Sequence, residues 1–396
     1  MEQLQMNEEL VAPKDTPCDG GARSLTVLHA GDVFLDGPIG RLRRDTKERR
    51  REELRESFLA FLARAREEKA DAVIFSGNLL DGAFAGDGTL RFLASAFGEY
   101  PEILFLIAPG PADAVTADSV YRSYRLPANV HVFGEEVLGA FEVPSLPLTV
   151  YGWGYTSQSC RHAPISGEQA YGTERLHILC GYTLLSEDGE MAPLTVEKLA
   201  SFGAHYAALS GCPHNGFHRA GDTVYAYSGV FEGRDFSGDG FGGYIRIRAE
   251  ACAGGWRLVP ERVLLNTYSY VEDTLDISHL SDAEALVPRI AQHIHRRGYG
   301  ERTVLKLILR GSVPIKTDFR LGEIAEDFGL YALKLEDRTV PTDEGEHLLR
   351  QMNAAGELYR HFYPLMTEGE EENCVRAARA FRMAYAALLG EDFTGL

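Results

Sequence analysis

A layered α/β sandwich is the fold the sequence predicts for about residues 24–262, and three observations predict it. Short apolar runs rich in β-branched residues recur through this stretch, as suits strands buried on both faces. The first three alternate with segments whose apolar residues fall at helical spacing, the rhythm of parallel βαβ units. Each of these runs ends in a loop built on glycine or proline: Gly31-Asp32, Gly77-Asn78 and Pro109-Gly110.

Ser24 to His29 (SLTVLH) reads as the first strand. Leu54, Phe58, Phe61, Leu62 and Ala65 then lie on one stripe of a helix. Asp71 to Ser76 reads as a second strand, Leu90 to Phe97 as a helix and Ile103 to Ile107 as a third strand. Further strands are predicted at Val130–Phe133, Leu148–Gly152, Leu176–Cys180, Tyr206–Leu209, Thr223–Tyr227 and Gly243–Ile247. The later ones are short and turn-separated, which predicts a second, more antiparallel sheet.

The pattern changes at Val263. Ser281-Asp282-Ala283-Glu284 reads as a capping box ahead of a helical stripe formed by Leu286, Ile290 and Ile294. Thr303 to Leu309 reads as a strand ending at Gly311. Helical stretches follow at Glu344–Leu365 and Glu371–Leu389. Residues 263–396 are therefore expected to form a smaller α+β domain with a helical tail, and residues 1–23 a disordered polar tail.

At 396 residues the chain is too long for one ordinary core. Its formal net charge of -18 repels polyphosphates and argues against an independent nucleic-acid-binding domain. The one dense basic run, Arg41 to Arg51, is followed at once by Glu52, Glu53 and Glu56. It reads either as a phosphate-contacting patch or as a solvated helix face with internal ion pairs. No apolar run approaches the ~18–20 residues that span a bilayer. The N-terminus has neither the basic start nor the apolar core of a signal peptide. Six cysteines without a CxxC pair predict reduced thiols and a cytoplasmic protein.

In open α/β sheets ligands bind beyond the carboxyl ends of the strands. Those ends read LHAGDVFLDGP (28–38), FSGNLLDG (75–82), APGPAD (108–113), ILCG (178–181) and ALSGCPHNG (208–216). In order and spacing they resemble the calcineurin-like metallophosphoesterases, and most of all the DNA-repair exonuclease group of SbcD and YhaO. That family carries DxH, GDxxD, GNHD, a lone His and GHxH at successive strand ends. Leu126 to Phe133 and the span from Tyr227-Ser228-Gly229 to Gly243-Tyr244 resemble flanking blocks of the same group. The resemblance implies a metallophosphoesterase sandwich with a capping domain, and a site for two divalent metals, usually manganese.

Most of the implied ligands are replaced. Asp32 stands in the first motif, but Phe34 replaces its His. Asn78 replaces the bridging Asp, and Asp81 remains. Pro111 and Ala112 replace the Asn and the catalytic His, and Asp113 remains. Cys180 falls at the lone His, and Cys212 and His214 at the last motif, where a second register keeps neither His. A neutral Asn78 offsets the repulsion of two metal ions poorly. Phe34 offers no lone pair, and Ala112 offers no proton. No pair of manganese ions, and no other cofactor, is expected.

Asp32 reads either as a surviving ligand or as a turn residue. Cys180 reads as a soft ligand or as a small buried residue. Together with Asp32, Cys212 and His214, Cys180 composes a set that suits a single zinc ion better than manganese. The resemblance thus implies a non-catalytic binding subunit that meets an SMC-like coiled-coil ATPase through its C-terminal region. Such a subunit would pair as a homodimer and touch DNA only within a complex. The alternative is a diverged phosphoesterase or nuclease with one weakly bound divalent metal. In the tail, Leu348, Leu349, Met352, Leu358, Phe362, Leu365, Phe381, Met383, Tyr385, Leu388 and Leu389 either dock a partner or pack on one another.

Overall fold

The computed structural model describes residues 23–38, 44–187, 189–212, 216–236, 242–265, 268–278, 280, 283–314, 317, 319, 321–324, 327–341 and 345–390. The chain divides into two compact units between Tyr268 and Ser269. Val263 lies within a strand of the first unit, six residues before this division.

In chain order the first unit contains β1 (Ser24–Ala30), α1 (Arg44–Glu67), β2 (Ala72–Phe75), α2 (Asp87–Gly98), β3 (Leu104–Ile107), α3 (Val120–Ser123) and β4 (Val130–Val132). Next come β5 (Gly139–Val143), β6 (Leu148–Gly152), β7 (Leu176–Tyr182), α4 (Val196–Phe202), β8 (Tyr206–Ser210), β9 (Gly216–Ala220), β10 (Thr223–Tyr227), β11 (Gly243–Cys252) and β12 (Gly255–Leu264). They build two six-stranded sheets, ordered β12-β11-β1-β2-β3-β4 and β5-β6-β7-β8-β10-β9.

Alternation along the strands sets the layers. Val27, Ile74 and Leu106 of the first sheet meet Val150, Ile178, Ala208 and Ala226 of the second in one buried cluster. The opposite face of the first sheet, with Leu28, Val73, Phe75 and Phe105, packs on Phe58, Phe61, Leu90 and Phe97 of α1 and α2. The opposite face of the second packs Leu179, Ala207 and Leu209 on Leu199 and Phe202 of α4. The order is helix, sheet, sheet, helix, as the sequence predicts. Each large apolar side chain fully buried in these layers contributes about 1.5–3 kcal/mol.

The second sheet corrects one expectation. Its four central strands, β6, β7, β8 and β10, run parallel; only the β5–β6 and β9–β10 pairs are antiparallel. The closely spaced strands legible near its end serve other purposes. β9 folds back on β10 at the edge, and β11 with β12 joins the first sheet antiparallel to β1. The basic run bears out in part its reading as a helix face with internal ion pairs. The Arg50 side chain is fully buried and pairs with buried Glu232 at 3.1 Å, while Arg49 pairs with Glu53 one turn on at 2.8 Å. Arg41 and Arg43 lie outside the described residues. Cys160, Cys180, Cys212 and Cys374 are free thiols. Cys252 is disulfide-bonded, which corrects the expectation of reduced thiols at that position.

The second unit holds β13 (Ser269–Asp276), α5 (Ala283–Arg297), β14 (Thr303–Arg310), β15 (Ser312–Val313), β16 (Ala332–Asp337), β17 (Val340–Pro341), α6 (Gly345–Leu349), α7 (Ala354–Thr367) and α8 (Glu371–Leu389). β13, β14 and β16 pair in parallel. Leu286, Ile290 and Ile294 of α5 pack on Leu305, Leu307 and Leu309 of β14. Ser281 and Asp282 of the proposed capping box lie outside the described residues. The helix expected from Glu344 to Leu365 is two helices, because the Asn353 side chain accepts the Gly356 N–H at 3.0 Å and starts α7 afresh. α7 and α8 bury Tyr359, Met366, Ala378 and Phe381 between them.

Candidate functional site

Parallel pairing of β1, β2 and β3 delivers their carboxyl ends to one edge of the first sheet. The loops that follow stay zipped together: Asp32 N–H donates to Gly77 O (3.0 Å), Phe34 N–H to Asn78 O (2.8 Å) and Leu35 N–H to Leu79 O (2.9 Å). This pairing holds Asp32, Phe34 and Asn78 in left-handed backbone, with φ of 50°, 50° and 52°. Asp and Asn tolerate that region; an aromatic residue rarely enters it.

Asn78 is the centre of the cluster. Its Nδ2 donates to Asp32 Oδ1 at 2.7 Å, and its Oδ1 accepts the Ala112 N–H at 2.9 Å. The backbone donor at Ala112 fixes which way the amide faces. Asp113 sits beneath with both oxygens occupied. Its Oδ1 accepts from Asn78 N (3.1 Å) and Gly110 N (2.7 Å), and its Oδ2 from Leu79 N (2.9 Å), Leu80 N (3.3 Å) and the Tyr121 hydroxyl (2.7 Å). Burial pushes the Asp113 carboxyl up to about 6 against these donors. Asp81 turns away and accepts the Ala83 N–H at 3.1 Å.

The second sheet closes the site from across the sandwich. A Cβ on Gly31 would lie 1.8 Å from Ser210 Oγ, so only glycine allows the sheets to come so close. Below, His29 Nε2 meets Ser76 Oγ at 2.8 Å, Ser76 Oγ meets Ser210 Oγ at 2.6 Å, and His29 Nδ1 meets the Tyr206 hydroxyl at 3.0 Å. Burial lowers the His29 imidazole to about 3, so this polar chain is neutral. Gly211 also hydrogen-bonds Asp32 through its backbone.

Cys180 is not part of the site. It is fully buried between the sheets, packed among Phe133, Ile178 and Ala208. The residue that reaches the loops is Tyr182. Its ring lies against Gly77 and Gly110, and its hydroxyl reaches the Asn78 side chain. Cys212 is half-buried beside Tyr182 and Tyr227. His214 lies outside the described residues, so the four-ligand zinc set reduces here to Asp32 and Cys212. Arg234 carries no signal in the sequence that ties it to the site. Its guanidinium stacks 4.1 Å over the Phe34 ring and draws the Asp32 carboxylate electrostatically.

No protein-family model matches the chain, and neither does any curated protein sequence. Solved structures do resemble it in fold. One is TT1561 of Thermus thermophilus, at 15% identity and a TM-score of 0.36 over 62% of this chain and 100% of that one. Another is a dimetal phosphatase from Danio rerio, at 10% identity and a TM-score of 0.38 over 61% and 99%. A third is wild-type Vps29 of Entamoeba histolytica complexed with zinc, at 11% identity and a TM-score of 0.26 over 61% and 100%.

The described side chains do not fit a pair of divalent metals. Asp113 commits its lone pairs to five donors. Asn78 turns its amino group toward Asp32, and the Arg234 guanidinium is stacked on the Phe34 ring. Among the described residues no group of three His, Cys, Asp or Glu side chains gathers as a metal centre.

Asp32 carries the larger share of the site's pH dependence, ahead of Asp113. Burial, aided by the nearby Asp113 charge, pushes its carboxyl up to about 7 despite the Asn78 donor and Arg234. Unfolded, it titrates near 3.9. The folded state therefore holds the extra proton between those values. Stability is full below about pH 4 and is lost as pH rises through about 7, by up to about 4 kcal/mol. Denaturant titrations of wild type and Asp32→Asn at pH 5 and pH 8 are expected to diverge, the wild type losing more stability at pH 8 than the variant, in which only the smaller contribution of Asp113 remains. Parallel curves would remove Asp32 as the cause.

Proposed function

We propose that this chain is a degenerate metallophosphoesterase of the DNA-repair exonuclease type that works by binding, not by hydrolysis. The observation that carries the reading is the Asn78 network. An amide stands where two metals need a shared carboxylate, and its hydrogen bonds to Asp32 and Ala112 close the space by themselves. The order of the strand-end loops supports the family, and the replacements at Phe34, Pro111, Ala112 and Tyr182 support the loss of chemistry.

The partner proposed is an SMC-like coiled-coil ATPase, reached through α7 and α8. After these helices pack on each other, Leu365, Met383, Leu388 and Leu389 remain 38–49% exposed. DNA is met only inside that complex, in the cytoplasm, and a homodimer of this subunit is part of the proposal. No described helix is long and apolar enough to cross a membrane.

The test combines metal analysis of the purified chain with hydrolysis of a chromogenic phosphodiester in manganese. Wild type is expected to hold less than one manganese per chain and to hydrolyse at the background rate. Recovery is expected to need Phe34→His, Asn78→Asp, Pro111→Asn, Ala112→His and Tyr182→His together, since several lost ligands each cost roughly 10–100-fold or more. Manganese-dependent hydrolysis by wild type, abolished by Asp32→Ala, would establish the enzymatic alternative instead. Leu365→Asp with Leu389→Asp is expected to release a co-expressed ATPase while the fold is kept.

A further inference from the structure

The first unit has a second concavity at the edge of the sandwich opposite Asp32. It is a cavity of about 540 Å³ at the amino-terminal ends of β8 and β10, completed by the β11–β12 hairpin. That volume falls within the roughly 300–1,000 Å³ of small-molecule sites. None of the five strand-end loops contributes to it.

Its apolar walls come from both sheets: Ala204 and Val224 on one side, Trp256 and Leu258 on the other. The Trp256 side chain is 8% exposed, and its indole N–H is buried without a hydrogen-bond partner. An unmet buried donor costs about 1–3 kcal/mol, and the indole ring that carries it lines the cavity.

His205 supplies a second, oriented donor. Its Nδ1 accepts the His177 N–H at 3.0 Å, so the neutral ring carries its proton on Nε2. Stacking on His177, with ring centroids 5.5 Å apart and 7° between planes, fixes the ring. Arg219 and Arg257 add guanidinium groups to the lining beside Asp222, and Arg257 also pairs with Glu250. At the hairpin tip a Cβ on Gly254 or Gly255 would meet open space.

We propose that this cavity binds a small aromatic carboxylate, its ring against Trp256 and the apolar wall and its carboxylate toward the His205 Nε2–H and the two arginines. A flat apolar body suits the indole and the small residues facing it. A ligand rich in acceptors suits a lining whose oriented groups are donors. The proposal is independent of any role for the strand-end loops and of any partner of α7 and α8.

The experiment is calorimetric titration of the full-length chain with 1-naphthoate, using naphthalenemethanol as the uncharged control and acetate as the ring-free one. For a ligand of this size the expected Kd is below about 100 µM, with acetate silent and the alcohol at least about tenfold weaker. Ala204→Leu narrows the cavity and is expected to weaken naphthoate by about tenfold or more. Should that variant unfold, Arg257→Glu on the exposed rim is expected to weaken the acid while leaving the alcohol unchanged. Absence of naphthoate binding up to about 1 mM overturns the proposal. So does binding that neither variant alters, or equal binding of acid and alcohol.

Discussion

Asp113→Ala is expected to cost about 5 kcal/mol, enough to unfold a domain of ordinary stability at 37 °C. Asp113 is read in the sequence as a remnant of a catalytic motif, yet it acts here as a clamp. One carboxylate accepts four backbone N–H groups, from Asn78, Leu79, Leu80 and Gly110, and the Tyr121 hydroxyl. It thereby ties the loop after β2 to the loop after β3. Removing it strands those donors in a buried site, at about 1–3 kcal/mol each before relaxation. Asp113→Asn is expected to cost less, about 2–3 kcal/mol, because one oxygen still accepts while the new amino group faces other donors. Urea unfolding followed by circular dichroism checks both. An alanine variant within about 1 kcal/mol of wild type would show that the clamp is not what holds the loops.

Asn78→Asp is expected to cost less than Asp113→Ala, and its cost should depend on pH. The substitution replaces the donor that sits 2.7 Å from Asp32 with a second carboxylate. Two carboxyl groups at that distance share one proton and titrate as a pair. At pH 5 the shared proton makes a hydrogen bond that replaces the lost one, and the expected loss is about 1 kcal/mol. At pH 8 the pair must either ionise fully or hold its proton at a cost, and the expected loss is about 3 kcal/mol. Manganese is expected not to restore the variant, since Phe34 and the saturated Asp113 still withhold ligands. Full thermal recovery on adding millimolar manganese would mean that the remaining groups can rebuild a metal centre, and the geometric case against a metal pair would fall.

Buried apolar runs make much of the first unit legible. β1, β2, β3, β6, β7, β8 and β10 are all predicted within one or two residues, because a strand covered on both faces has no polar alternation to blur it. β5 and β9 escape notice. Both are edge strands with mixed or exposed faces, and GAFEV and GFHRA carry little periodic signal. At the site, Asp32, Asn78, Ala112 and Asp113 can be placed because each follows a strand end and its glycine within a few residues. Tyr182 cannot. It and Cys180 share one face of β7, about 6.6 Å apart along the strand. The letters fix the face but not which of the two residues stands level with Gly77 and Gly110. Arg234 is out of reach for a different reason. Nothing in its neighbourhood shows that it folds back over Phe34, which lies far away in the sequence. The second unit's core helix α5 is plain from its stripe. The break before α7 is missed although its cause, the Asn353 cap, stands in the sequence.

The pairing of β1 with β11 has a consequence for how the chain is made. β1 occupies the middle of the first sheet, with β2 on one side and β11 on the other, and Ser24 pairs with Glu250. A ribosome adding about 5–20 residues per second needs roughly 10–45 s to go from the end of β1 to the end of β11. Within that interval β2, β3 and β4 are added with their helices, but one long edge of β1 has no neighbour. An unpaired strand of buried composition is a template for other chains. The nascent first sheet is thus the stage of synthesis most dependent on a holding chaperone, and the β11–β12 hairpin is the piece whose arrival ends that dependence.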